Sequence, residues 1–397
     1  MKEFRDKVLR GGASTNPILA LAQKGLSPAE FKTQIIEAFA PYFTNHDLLE
    51  RFAIDVLPAE AVNLGKVRSS PVAQIAFDHA RALYLSSERR HREAAYRCFA
   101  HAETYVAAGR SEFWSLCYLE RPTNALGLHE FKHEIFRAIG TLVESCLQPI
   151  LRDLLGQLRI SRGRDVEYEA LLPLPLGNIV GKLHDVTGSE IYAFGPWAVR
   201  LNQWRNMAQH YRTSVRGDRI IGWYGEPSHE KTIELSRDEL MSVLRSCIAV
   251  FDGARLGRSL FGIDRIREIK PFLTGVEDRP EVNILSLVTA MATQGFEATN
   301  VEVSEERAEA WLRDHRSADR KARMVHASQF VHVLWTYTEA AEVLVHYCDA
   351  NGCIAASFSS SGENCELFSE GTIDLATYVN RMSFKVFDQN IETGHEA

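Results

Sequence analysis

The chain has 397 residues, with 45 Lys and Arg against 52 Asp and Glu, a formal net charge of −7, 45% hydrophobic residues and 24% charged ones. That is a globular composition with apolar material for two or three domains. The acidic total means that any affinity for phosphate must come from a local basic cluster. Met1–Lys7 has no apolar signal core and no apolar run approaches a membrane span, so a cytoplasmic protein without membrane contact is expected.

Residues 1–124 read as helical throughout. Phe31, Ile35, Ile36, Phe39 and Tyr42 share one helix face, and Leu48, Leu49, Phe52, Ile54 and Val56 a second, stopped by Pro58. Ala73 to Ala108 is a long helical stretch interrupted near Ser86-Ser87-Glu88. Its basic run Arg89-Arg90-His91-Arg92 reads as a solvated helix face.

A further helix places Leu128, Phe131, Ile135, Ile139, Leu142, Cys146 and Ile150 on one stripe. Near its start, His129-Glu130-Phe131-Lys132-His133 matches H-E-x-x-H. In that pattern two imidazoles one turn apart hold zinc and the Glu is the general base. On this stripe both histidines point away from the core. Lys132 puts a charge inside the motif, and nothing marks a third ligand among Glu144, Glu167 and Glu169. A solvated face is the preferred reading of His129, Glu130 and His133, and a zinc hydrolase the alternative.

Leu176 to Leu183 opens the next helix. Gly195-Pro196 then reads as the start of another, since Pro fits the first helical position. From there Trp197, Leu201, Trp204, Ala208 and Tyr211 recur at steps of four and three, an apolar stripe that places Trp197, Trp204 and Tyr211 in the core. Asn206 and His210 fall together on the outward face, with Arg205 at its flank. An Arg-Asn pair followed by His suits metal-free RNA cleavage: a guanidinium stabilises a phosphorane, an imidazole moves a proton, and an amide orients either. Arg200, Arg205, Arg212, Arg216 and Arg219 against Asp218 alone make the segment basic. This makes Arg200, Arg212 and Arg216 candidate phosphate contacts. The bland alternative is a solvated helix end.

Gly217-Asp218 reads as a turn, and Arg219–Tyr224 and Lys231–Leu235 as a short hairpin. Ser236 with Glu239 is a capping box for a helix carrying Leu240, Val243, Leu244, Cys247 and Val250. Residues 263–280 form a Gly- and Pro-marked connector. Beyond it, Val343–Cys348 and Cys353–Phe358 flank Asp349-Ala350-Asn351-Gly352, a hairpin signature, with helical patterns over 324–337 and 373–386. Residues 281–397 therefore read as a small α+β domain without a catalytic constellation, suited to sensing or to a regulatory partner or ligand. The seven cysteines are odd in number and lack a C-x-x-C pair. Cys348, Cys353 and Cys365 with His346 are read as reduced thiols and not as a metal cluster.

The segment 125–262 resembles the HEPN superfamily. It carries the Arg205-Asn206 pair, His210, the Leu-Gly-x-Ile helix start at Leu176 and the capped helix after the motif. The small residue often placed directly before the His is Gln209 here, with Ala208 one position earlier. The resemblance covers only this segment and implies an antiparallel four-helix bundle over 125–262. With the N-terminal helical region (1–124) and the α+β domain (281–397) read from their own patterns, the expected chain is mostly α. The resemblance further implies a cofactor-free, metal-independent endoribonuclease of a defence or toxin-like system, with catalytic Arg205, Asn206 and His210. The product would be a 2′,3′-cyclic phosphate, and the site would be shared by a homodimer across the face bearing Asn206 and His210. A catalytically silent helical scaffold that binds a partner is the alternative.

Overall fold

In the computed structural model the described residues are 27–387, apart from 55, 118–125, 188–189, 276–279 and 316–318. They fall into two compact units. One holds residues 42–48 and 63–278; the other holds the residues from 279 onward together with residues up to 41 and 49–62.

The first helix, α1 (Pro28–Phe39), opens with a capping box between Ser27 and Glu30. After α2 (His46–Phe52), α3 (Leu57–Arg68) carries Pro58 in its first turn. Pro58 therefore starts a helix as well as ending the preceding pattern, because an N-terminal turn has no use for its missing N–H.

In the helical unit, α4 (Pro71–Arg90) and α5 (Arg92–Cys117) are separated only by His91. The backbone of His91 leaves the helical region (φ −155°, ψ 86°), and its Nδ1 accepts from the Ala94 N–H at 3.3 Å. The helix runs unbroken through Ser87, whose hydroxyl is buried between the Tyr84 carbonyl (2.8 Å) and Gln157 Oε1 (2.5 Å). Next, α6 (Leu128–Thr141), a π-helical stretch over Leu142–Leu147, and α7 (Gln148–Ser161) follow one another without a break. The unit is completed by α8 (Leu176–Thr187), α9 (Leu201–Gln209) and α10 (Arg237–Asp264), the last opened by the expected Ser236–Glu239 capping box.

One apolar core runs from Ala76 to Ile269. The helices of 71–117 thus share a core with those of 128–264, and the unit extends beyond the 125–262 segment. The stretch read as a connector is helical at Ile266–Ile269 (α11), with Ile269 buried. Inside this core Asp153 is fully buried and accepts from Arg258 Nε (2.9 Å), Tyr84 Oη (2.8 Å) and Gln157 Nε2 (3.0 Å). Arg258 also donates to Glu103 and to the Phe99 carbonyl. The network ties four helices together, and a buried charge survives only with partners of this kind.

Small β elements flank α9. β1 (Ala193–Phe194) and β2 (Val199–Arg200) pair around Gly195, whose φ is +68°. Gly195-Pro196 is therefore the turn of a hairpin, and the helix starts later, at Leu201. β3 (Thr213–Arg216), β4 (Arg219–Tyr224) and β5 (Lys231–Leu235) form an antiparallel sheet, so the expected hairpin gains a third strand.

The other unit contains α12 (Pro280–Thr293), β6 (Phe296–Val303), β7 (Arg307–Asp314), α13 (Arg320–Ser328), α14 (Phe330–Thr338), β8 (Glu342–Cys348), β9 (Ile354–Ser361), α15 (Gly362–Ser369), α16 (Leu375–Asn380) and β10 (Ser383–Val386). The sheet order is β10-β9-β8-β7-β6, with β7 and β8 parallel and every other pair antiparallel. Along β7, Ala308, Ala310 and Leu312 are buried with α12 and α14, while Glu309, Trp311 and Arg313 leave by the other face. The β8–β9 hairpin turns at Asn351-Gly352 as expected, whereas the helical pattern over 373–386 ends at Asn380 and gives way to β10. The chain is mostly helical with a C-terminal sheet, and no helix among the described residues is long and apolar enough to cross a membrane.

Candidate functional site

Arg205 and Asn206 lie on α9, a nine-residue helix that buries Leu201, Trp204 and Met207. Trp204 is completely enclosed, donating from Nε1 to the Val199 carbonyl at 3.1 Å, and half-buried Trp197 meets it edge-on with centroids 6.4 Å apart. Tyr211 does not join this core: it is 78% exposed. The reason is that α9 stops at Gln209. His210 caps it, Tyr211 turns left-handed (φ +51°), and the Arg212 N–H bonds back to the Met207 carbonyl at 3.1 Å. This closure usually places glycine where Tyr211 stands, since glycine has no Cβ to crowd.

The Arg205 guanidinium donates from Nη1 to Asn206 Oδ1 (3.2 Å) and from Nη2 to Glu144 Oε1 (2.7 Å). Gln209 Nε2 donates to the other oxygen of Glu144 at 2.6 Å. Glu144 projects from the π-helical stretch, a distortion that often accompanies function. Gly140 lets α9 approach closely, since a Cβ there would stand 3.2 Å from the Ala208 Cβ. Arg205 and Glu144 are 26% and 38% exposed, so solvent screens the pair and its contribution to stability is at most about 1 kcal/mol. The buried Nε of Arg205 has no partner among the described residues, which adds a desolvation cost to this resting position. His210 is exposed, and its backbone N–H bonds to the Asn206 carbonyl at 3.0 Å. Arg205 and Asn206 are thus bonded side chain to side chain, and His210 follows one turn later at the C-terminal end of α9.

The three other arginines behave differently from one another. Arg200 is the N-cap of α9, so its backbone stands roughly 15 Å from His210 at 1.5 Å per helical residue. Arg212 is engaged at both ends, by the Gly225 carbonyl (3.1 Å) and by Glu230, and so closes a loop. Arg216 is exposed at the β3–β4 turn, opposite Arg219.

His129, Glu130 and His133 are exposed on the first turns of α6, facing away from buried Phe131 and Ile135. Among the described residues, metal-like spacing occurs instead at His101, Glu167 and Glu169. There His101 Nδ1 is 3.1 Å from Glu169, but Arg97 already holds Glu167 at 3.2 Å. Cys348 and Cys365 are buried and Cys353 is exposed; His346 engages Ser357 and Glu309, and Cys365 contacts Tyr378 Oη at 3.6 Å.

Two groupings escaped the sequence. Glu144 was noticed only as a spare carboxylate, because its meeting with Arg205 spans 61 positions. Ser357, His346 and Glu309 converge from three strands: the hairpin turn pairs Ser357 with His346, but no local signal fixes the parallel β7–β8 register that brings Glu309 to them.

The chain matches no family model, no curated protein and no solved structure.

Proposed function

We propose that this protein is a metal-independent endoribonuclease of HEPN type, with Arg205, Asn206 and His210 as its catalytic residues. The observation that carries the reading is the end of α9. An Arg-Asn pair bonded side chain to side chain sits one turn from an exposed imidazole, and an exposed tyrosine stands beside it. RNA contains its own nucleophile. The ribose 2′-OH attacks the adjacent phosphorus, the P–O5′ bond breaks, and a 2′,3′-cyclic phosphate and a 5′-hydroxyl remain. His210 moves the proton, as base for the 2′-OH or acid for the leaving oxygen. Arg205, turned from Glu144 onto the phosphate, balances charge as it builds in the transition state. Asn206 orients the guanidinium. Tyr211 offers a ring on which an unpaired base stacks.

An exposed Arg-Asn-His trio cannot enclose a phosphate unaided. A second copy presenting the same face across a two-fold axis supplies the other half, which makes the working unit a homodimer. Arg216 fits a peripheral phosphate contact; Arg200 lies further out, and Arg212 serves its loop. The same reading gives the protein a defence or toxin-like role, with the C-terminal unit regulating the ribonuclease.

The test is cleavage of a labelled RNA by the purified full chain in EDTA, beside the same strand with a 2′-deoxy residue at the cut site. Cleavage of the first only, leaving a cyclic phosphate, is expected. Activity restored by zinc and lost in His133→Ala would replace this reading with the hydrolase one.

A further inference from the structure

We infer that the C-terminal sheet carries a second, separate active site, a serine esterase centre formed by Ser357, His346 and Glu309. His346 on β8 lies between the other two. Its Nδ1 is 2.7 Å from Ser357 Oγ on β9, and its Nε2 is 2.5 Å from Glu309 Oε1 on β7. These are the contacts of a nucleophile, a base and an orienting carboxylate. The pairing of the strands produces them: His346 is directly opposite Ser357 and in register with Trp311, and Glu309 is two residues before Trp311 on the same face.

The surroundings favour chemistry over mere packing. With Glu309 as a carboxylate, the imidazole proton resides on Nε2, so Nδ1 is the acceptor for the serine hydroxyl. Glu309 is anchored in turn by Arg307 at 3.3 Å, and Trp311 stacks on the imidazole (centroids 5.0 Å, interplanar 29°), restricting its rotation. The His346 and Glu309 side chains keep 12% and 16% exposure, and Ser357 is half-buried, so the group is sheltered yet reachable. Lys385 on β10 is directly opposite Ser357, and both side chains leave the sheet on one face. Lys385 is exposed, and its ammonium is a candidate to balance the oxyanion formed at Ser357.

The substrate class is a carboxylic ester. Ser357 Oγ bonds to the carbonyl carbon as its proton passes to His346 Nδ1. The ester C–O bond then breaks, and the departing alkoxide takes that proton and leaves as the alcohol. Water repeats the sequence on the acyl-serine, releasing the acid and restoring Ser357. Ester and water give acid and alcohol, with no other reactant.

A fluorophosphonate probe tests this on the full chain, since serine attack on phosphorus displaces fluoride and leaves a stable adduct. One adduct mapped to Ser357 is expected, absent in Ser357→Ala and unaffected in Ser359→Ala. Labelling should slow about a hundredfold in His346→Gln. Glu309→Gln, which keeps a polar partner for the ring, should slow it at least tenfold and guards against misfolding of the histidine variant. A natively folded chain without an adduct at Ser357, or labelling at the wild-type rate in both variants, overturns the proposal.

Discussion

Glu144 and Arg205 meet at 2.7 Å although 61 positions separate them, and the same carboxylate also accepts from Gln209. In the proposed ribonuclease this contact has a definite consequence: the guanidinium has to exchange a carboxylate for a phosphate. Glu144→Gln should therefore tighten RNA binding severalfold, while stability changes by no more than about 1 kcal/mol for so exposed a pair. Filter binding and thermal melting measure the two. Weaker binding in this variant would show that Glu144 positions Arg205 and does not compete for it.

Tyr211 combines a left-handed backbone with 78% exposure, so it adds strain and buries almost nothing. Tyr211→Gly should raise stability by about 1 kcal/mol, because glycine adopts that conformation freely. It should also weaken binding of single-stranded RNA roughly tenfold or more, the usual loss of one stacked base. A variant that melts higher and binds RNA as before would remove Tyr211 from the site.

Gly253 marks a close helix crossing between α10 and α4. Its missing Cβ would lie 2.1 Å from the Ala73 carbonyl oxygen, a backbone atom that cannot rotate aside. Gly253→Ala should destabilise the helical unit by roughly 1–3 kcal/mol through overpacking. Chemical denaturation gives the difference, and an unchanged midpoint would contradict the crossing.

His79 supplies a pH dependence. Its Nδ1 is 3.1 Å from Tyr192 Oη, its Nε2 has no partner among the described residues, and burial lowers its pKa to about 4. The unfolded chain binds this proton near pH 6.5 and the folded chain only near 4, so stability present at neutral pH is lost as pH falls between those values. The loss is at most roughly 3 kcal/mol. His79→Gln should melt with a shallower dependence on pH over that window, and parallel profiles would remove His79 as the cause.

Much of the fold was legible because it is written in local signals. The Ser236–Glu239 box, the Asn351-Gly352 turn and the stripe from Phe131 to Ile139 each depend on neighbours a few positions apart. The end of α9 was misread because Tyr211 continues an apolar period that the left-handed turn interrupts. Gly195-Pro196 carries the residues of a helix start yet opens the four-residue turn of a hairpin. In the site, Arg205, Asn206 and His210 were visible as a motif. Glu144 meets Arg205 through a helix crossing, and in the other unit Glu309 meets His346 through the parallel β7–β8 register, both set by packing across the fold.

The most direct test of the central claim is single-turnover cleavage of RNA in EDTA by the full chain and by its Arg205→Lys and His210→Ala variants. A point ammonium cannot replace a planar fork on phosphate, and alanine cannot move a proton. Each variant should fold normally, since neither side chain is part of the core, and lose on the order of a hundredfold or more in rate. Wild-type rates in both folded variants would contradict the assignment and leave the end of α9 as an ordinary surface.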